Sequence, residues 1–351
     1  MDRLRFLTER LLSARTLSVD EFEELLLLRS PESTRLLKDV AQRERQRVYQ
    51  NRVFVRGLLE ISNHCKNNCL YCGLRAENSA VCRFRLKEEE ILSCCKEGYG
   101  LGLRTFVLQG GEDAHFTDKR LTELIKAIKA SCPGAAVTLS LGERSRESYA
   151  ALKKAGADRY LLRHETANEE HYARLHPKEM SAKTRMKALQ TLKELDFQVG
   201  AGFMVGSPYQ TTRNLAEDLH FVSVFRPQMC GIGPFLPQKD TPFGTEPAGD
   251  VDLTLYLLSI LRIIDPALLL PATTALATAN EKGHVRGILH GANVIMPNLS
   301  PLHARENYRI YDGKKSSGPE AAEGLSLLKD ALHSAGFELD LSRGDYETRK
   351  G

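Results

Sequence analysis

Apolar and polar positions follow two rhythms along the chain. Over residues 1 to about 50 the apolar positions recur at helical spacing. Ser18 followed by Glu21 makes a capping box ahead of EFEELLLL, and Pro31 after Ser30 marks a further helix start. From Val53 onward, short β-branched or apolar runs alternate with longer amphipathic stretches. The runs are VFVRGLLEIS, TFVLQGG, VTLSLG, YLLRHET, QVGAGFMVG, MCGIGPFLP, LLLPATT and ANVIMPN, eight candidate strands. Between them TDKRLTELIKAIKAS, RSRESYAALKKAG, SAKTRMKALQTLKELD, TTRNLAEDLHFVSVF and VDLTLYLLSILRIID are each long enough to cross from one parallel strand to the next.

Strand and helix repeated in this way predict an α/β fold, a (βα)8 TIM-type barrel. An open doubly wound sheet is the alternative, because periodicity carries no information about closure. The implied organisation is an N-terminal helical extension over 1–50, the barrel over 51–300 and a polar C-terminal tail over 301–351 that packs on the barrel. Polar and glycine residues gather at the strand ends: Gln109, Gly110, Gly111 and Glu112 after the second, Arg163 and Glu165 on the fourth, Thr273 and Thr274 after the seventh, Asn298 after the eighth. In such barrels the C-terminal mouth carries the chemistry.

Composition narrows the function classes. Of 351 residues 42% are apolar and 27% charged, and a formal charge of +4 is spread over mixed helices. No block of like charge reads as a nucleic-acid arm. The dense RERQR stretch from Arg43 to Arg47 is expected to be a solvated helix face. Charges interrupt the opening MDRLRFLTERLLSARTL, and Arg262, Asp265 and Pro266 break LYLLSILRIIDPALLL, so neither a signal peptide nor a membrane span is expected. The implied location is cytoplasmic. There, Cys82, Cys94, Cys95, Cys132 and Cys230 read as small buried hydrophobes rather than disulfide partners.

Cys65, Cys69 and Cys72 are different, because they stand within eight residues directly after the first strand. A structural zinc site requires four ligands, and no downstream Cys-x-x-Cys or His-x-x-x-His closes the set. An iron–sulfur cube held by three thiolates explains the count better, since one iron is left open to a substrate or cofactor.

The C-x3-C-x2-C spacing, with Tyr71 before the third cysteine, resembles the signature of radical S-adenosylmethionine (SAM) enzymes. QGGED at 109–113 resembles that superfamily's Gly-Gly-Glu motif. The resemblance implies a [4Fe-4S] cluster on Cys65, Cys69 and Cys72 whose open iron chelates SAM, and reductive cleavage of SAM to a 5′-deoxyadenosyl radical. It also implies that Gly110 and Gly111 admit the methionine amine to the second strand. YLLRHETAN, GAGFMVGSPYQT, GIGPFLPQKDTPF, PATTALAT, GANVIMPNLSP and YRIYDGK extend the likeness to the [FeFe]-hydrogenase maturases of the biotin-synthase-like group.

From that resemblance come SAM contacts at Tyr71, Glu112, Glu165 and Arg185. Residue spacing adds that Arg163 and Glu165 share one face of their strand with His164 on the other, a pair that either suits a zwitterionic cofactor or braces the barrel as a structural ion pair. On helical context alone Arg185 is an ordinary exposed arginine. Thr273, Thr274 and Thr278 offer hydroxyls to an anionic small-molecule substrate or cap the next helix; Tyr308 and Tyr311 resemble residues at the substrate end or pack the tail onto the barrel. The implied substrate is an organometallic iron–cysteine species. The implied partners are a reduced flavodoxin or ferredoxin and other hydrogenase maturases.

Many relatives carry tail cysteines for an accessory cluster. Here YDGKKSSGPEAAEGL has none, and no cysteine follows Cys230. Biotin-synthase-like sulfur insertion, a methylornithine-synthase-like mutase and a non-catalytic iron–sulfur carrier remain the rivals.

Overall fold

The structure, a computed structural model, describes residues 2–314 and 324–347. Three helices open the chain: α1 (Asp2–Ala14), α2 (Val19–Leu27) and α3 (Pro31–Tyr49). The expected capping box is present, with Glu21 N donating to Ser18 Oγ at 3.2 Å and Ser18 N to Glu21 Oε2 at 3.0 Å. The apolar stripes of these helices, including Leu7, Leu11, Phe22, Leu25 and Leu37, join one core with the helix Val251–Ile264.

RERQR is a solvated face only in part: Arg43, Gln46 and Arg47 are exposed, but Glu44 and Arg45 turn inward. Arg45 is 1% exposed, and its guanidinium donates to the carbonyls of Ala292, Gln50 and Arg52 at 2.7–3.0 Å. Glu44 is also buried, paired with Arg15 and Arg47. The helix lies across the rim of the barrel, and the long arginine stem reaches free backbone oxygens there.

The strands are β1 (Arg52–Val55), β2 (Gly57–Ser62), β3 (Thr105–Gly110), β4 (Ala136–Ser140), β5 (Arg159–Leu161), β6 (Gln198–Ala201), β7 (Met204–Val205), β8 (Met229–Cys230), β9 (Gly233–Pro234), β10 (Val294–Ile295) and β11 (Glu338–Asp340). β2, β3, β4, β5, β6 and β8 form one parallel sheet in that order. Leu269 bridges to Met229 and Pro271 to Val294. β10 then pairs with β1, and Leu58 bridges to Asn298. Phe54 N, Arg56 N and Leu58 N donate to the carbonyls of Asn293, Ile295 and Pro297 at 2.9–3.0 Å, so the eighth run meets the first and the barrel is closed.

Several expected strands are shorter or divided. VFVRGLLEIS breaks at Arg56, and LLLPATT contributes only bridges at Leu269 and Pro271. Proline supplies no N–H to extend that ladder.

The tail visits both ends of the barrel. Residues 301–314 lie at the mouth, where Gly73 N donates to Ile310 O at 3.0 Å. β11 pairs in parallel with β1, and residues 343–346 cross the opposite, N-terminal end. Part of YDGKKSSGPEAAEGL, 315–323, lies outside the described residues. Cys94, Cys95, Cys132 and Cys230 are buried as expected, whereas Cys82 is exposed, since it sits in the loop before the helix Glu88–Gly100 rather than in an element. None of the described helices is long and apolar enough to cross a membrane.

Candidate active site

The three-cysteine loop leaves the C-terminal end of β2 and is fixed by backbone contacts on three sides. Arg83 is the main stitch: Nη1 donates to Asn63 O and Leu74 O at 2.5 and 2.9 Å, and Nη2 to Arg75 O and Asn78 O at 2.6 and 3.1 Å. Asp113 is the second. It accepts Ser62 Oγ at 2.7 Å and both ends of the Arg85 fork at 2.7 and 3.0 Å, while Ser62 Oγ accepts His64 N at 3.1 Å. Although burial raises the Asp113 pKa, Arg85 and Ser62 outweigh it and hold the carboxyl at about 2. The third contact is Gly111, where a Cβ would stand 2.2 Å from His64 O and 2.7 Å from Cys65 Cβ. The missing side chain therefore makes room for the cysteine loop itself, a use of the double glycine that the motif does not disclose. At Gly110 a Cβ would meet nothing closer than 3.2 Å.

Cys65, Cys69 and Cys72 are all partly buried and form no disulfide. Burial, then the charges of neighbouring thiolates, raises the pKa of Cys69, and burial pushes Cys72 up to about 12. Thiols so placed stay protonated by themselves and ionise together only around a strongly cationic body. Among the described residues no three Cys, His, Asp or Glu side chains converge as ligands of a single metal ion. A multi-iron cluster, which spreads its ligands more widely, suits the trio better than a mononuclear site.

Tyr71 sits with its hydroxyl 3.2 Å from His176 Nε2, and His176 stacks on Tyr172 at 3.9 Å. Glu112 turns toward the end of β4: Oε1 accepts Glu143 N at 3.0 Å, and Oε2 lies 3.1 Å from Lys66 Nζ. Gly142, at φ +72°, allows this approach, since a Cβ there would fall 2.0 Å from Glu112 Cγ. Arg185 is buried at 7% exposure rather than free on its helix, donating through Nε to Glu143 Oε1 and through Nη1 to Arg163 O, both at 2.5 Å.

Arg163 and Glu165 lie beyond the end of β5 yet share a face, with Arg163 Nη2 3.1 Å from Glu165 Oε2. Neither atom has a well-directed hydrogen bond, and Arg163 Nε also lacks one. Glu165 holds φ +64°, an uncommon backbone for a side-chain-bearing residue. His164 points away, as expected, into Phe203, Phe221 and Asp218.

Thr273 precedes the helix Thr274–Ala279, but its hydroxyl donates across to Ile232 O at 3.3 Å and does not cap the helix. Thr274 and Thr278 are partly buried on that helix. Tyr308 is 3% exposed and accepts Gln109 Nε2 at 3.3 Å; Tyr311 is partly buried in the tail segment at the mouth.

Sequence reasoning missed Arg83 and Asp113, which hold the loop, and a buried ion pair beneath it, Lys314 Nζ 2.8 Å from Glu60 Oε1. For Glu60 a signal existed: it is the one charge in the apolar run GLLEIS.

A closed (βα)8 barrel with a three-thiol loop at its mouth defines a barrel enzyme built around an iron–sulfur cluster. Comparison with known proteins places it further. The Radical SAM superfamily matches residues 59–222. The chain is 42% identical over 303 residues to the [FeFe] hydrogenase maturase subunit HydE of Thermotoga maritima, with 86% of each chain covered. It is 30% identical over 307 residues to 3-methylornithine synthase of Methanosarcina acetivorans, covering 86% of this chain and 85% of that one. Among solved structures, methylornithine synthase (PylB) superposes with a TM-score of 0.81 at 25% identity, covering 95% of this chain and 97% of that one. The maturase HydG also reaches 0.81, at 20% identity over 97% and 76% of the two chains, a likeness of fold. The chain belongs to the radical SAM superfamily, whose cofactors are a [4Fe-4S] cluster and S-adenosyl-L-methionine.

Proposed function

We propose that this radical SAM enzyme acts in assembly of the diiron active site of [FeFe]-hydrogenase, on an organometallic iron–cysteine precursor. The observation that carries the catalytic part is the trio Cys65, Cys69 and Cys72, gathered at the mouth and locked against β3 through Gly111. The identity to the maturase subunit supports the specific part.

When bound, the cluster supplies the electron that cleaves SAM to a 5′-deoxyadenosyl radical. The chain's own groups do the rest. Cys65, Cys69 and Cys72 hold the cluster, and Tyr71, Gly110, Gly111 and Glu112 border it. Arg163 and Glu165, with unspent hydrogen-bonding capacity, face the charged end of SAM. Arg185 holds the carbonyl of Arg163 and so orients that pair. Thr273, Thr274, Thr278, Tyr308 and Tyr311 line the substrate end. A reduced flavodoxin or ferredoxin in the cytoplasm supplies electrons, and other maturases supply and accept the iron species.

The test is a defined anaerobic maturation mixture with and without this protein. Hydrogenase activation should depend on it, and Cys69→Ala should abolish both activation and 5′-deoxyadenosine release. Full activation in its absence overturns the maturation role; SAM turnover surviving in Cys69→Ala overturns the radical chemistry. Accumulation of 3-methylornithine instead would favour the second relative's activity, to which the similarity also runs along most of the chain.

A further inference from the structure

Glu60 is a carboxylate with 0% exposure in the middle of a barrel strand. Its neighbours Leu59 and Ile61 belong to the core packed under the helices, so the alternation of β2 turns Glu60 to the barrel interior. Register places it beside Gln109, and Gln109 beside Ser140, a polar layer just beneath the cysteine loop. Lys314, on the tail segment over the mouth, brings its Nζ to 2.8 Å from Glu60 Oε1, and both side chains are nearly inaccessible. The ammonium also lies 5.6 Å from the Tyr308 ring, whose hydroxyl accepts from Gln109.

This pair is under-used. Neither Glu60 oxygen has a directed hydrogen bond among the described residues, nor has Lys314 Nζ. An ammonium carries three donors and a carboxylate about four acceptor positions, and one contact between them leaves most unspent. Burial raises the Glu60 pKa even though Lys314, the Asn298 side chain and the more distant Arg305 charge oppose it, so these neighbours together compensate the carboxylate incompletely. Beyond the end of β8, buried Gly231 carries no side chain where a Cβ would make only ordinary contact, with Pro271 Cγ at 3.8 Å.

We propose that Glu60 and Lys314 form the subsite for an α-amino-acid end of the substrate, Glu60 taking its ammonium and Lys314 its carboxylate. The four charges then alternate around a square, each touching two of opposite sign, and every buried charge is compensated. The proposal rests on the preceding assignment of a cysteine-bearing substrate and specifies which residues recognise its amino-acid portion. It also involves the tail in binding, because Lys314 completes the site only when residues 308–314 lie over the mouth.

The test uses calorimetry on cluster-loaded, SAM-saturated full-length protein, with S-methyl-L-cysteine as a probe that lacks a reactive thiol. 3-(Methylthio)propionate lacks the ammonium and 2-(methylthio)ethylamine lacks the carboxylate. Each should bind about 10- to 100-fold more weakly than the zwitterion, and Glu60→Gln and Lys314→Met should each weaken the zwitterion by a similar factor. Lys314→Arg should retain most of the affinity. The charge swap Glu60→Lys with Lys314→Glu separates the subsite from a mere latch for the tail. It should regain thermal stability lost in the single variants without regaining binding, because its poles are reversed. No binding by the wild type, equal binding of the three probes, unaffected single variants, or recovery of binding in the swap each overturns the proposal. Loss of the maturation role in the omission experiment leaves these binding results standing, so the two failures are told apart.

Discussion

The two ends of the barrel both bury arginines and carboxylates, but they treat them in opposite ways. At the floor Arg159 is fully buried and fully bonded: Nε donates to Gln198, Nη1 to Thr105, and Nη2 to Arg343 O and Asp345, at 2.6–3.2 Å. Asp345 in turn accepts from Gln198 Nε2 and Arg343 Nε at 3.0 and 2.8 Å. Among the described arginines there, Arg56 Nε and Arg262 Nη2 lack a hydrogen bond, each a single nitrogen of an otherwise bonded guanidinium. At the mouth, by contrast, Arg163, Glu165, Glu60 and Lys314 all retain unpaired polar atoms. A stable protein leaves few such groups unmatched. A closed network therefore marks the end that holds the fold together, and an open one marks the end that waits for charged ligands.

The contrast breaks most visibly by substitution at the mouth. Arg163→Met should lower SAM cleavage by about a hundredfold or more, the order expected when one partner of a buried charge pair is lost, with little change in thermal stability. 5′-Deoxyadenosine release and a melting curve decide it; a variant that turns over normally but melts early would make Arg163 a structural brace. Arg83→Ala comes next. Four backbone carbonyls of the cysteine loop lose their donor, and cluster content after reconstitution, read from iron and visible absorbance, should fall several-fold. At the floor the sign of the contrast reverses. Asp345→Ala should cost about 2 kcal/mol of stability, less than for a fully buried pair because Asp345 is partly exposed, and leave turnover per folded molecule intact. Lost turnover without lost stability would erase the distinction between the ends.

How much of this was legible in the chain depended on whether the signal was local. The amphipathic helices Asp118–Ser131, Arg146–Ala155, Ala182–Glu194, Thr212–Phe225 and Val251–Ile264 fall where their apolar spacing and caps predict. The Ser18–Glu21 cap is a contact within four residues and was readable in the same way. Closure was not, because Phe54 meets Val294 across most of the sequence. Nor was β11, three residues with no periodicity whose partner is β1. The cysteine trio was readable because its ligands are near neighbours. Arg83 and Asp113 were not, since an arginine that gathers carbonyls and an aspartate that ties Ser62 to Arg85 have the composition of any surface loop. Arg45 misled for the same reason: a charge cluster on a helix says nothing about which member turns inward.

Acid should separate the ends most gently. At the mouth Asp113 has a folded pKa of about 2 against an ordinary 3.8. A depressed carboxyl stabilises the fold above its unfolded pKa, and that contribution is lost as pH falls through the folded value. The unfolded chain takes up the proton first, so stability should decline from about pH 5 down to 2, by about 2 kcal/mol for this residue. Asp345 at the floor is also depressed, by Arg343 and Arg159 against its burial, and adds a decline of the same sign. Urea midpoints of the full chain across this window give the summed slope, and Asp113→Asn and Asp345→Asn each remove one part of it. Because Asp113 fastens Ser62 and Arg85 beside the cysteines, its protonation should loosen the loop before the fold. Faster reaction of Cys65, Cys69 and Cys72 with 4,4′-dithiodipyridine, an activated disulfide that reads thiols even in acid, should then appear on brief acid exposure in the wild type and already at neutral pH in Asp113→Asn, while Asp345→Asn leaves their rates unchanged. Equal thiol protection in all three proteins would mean that Asp113 serves the fold alone.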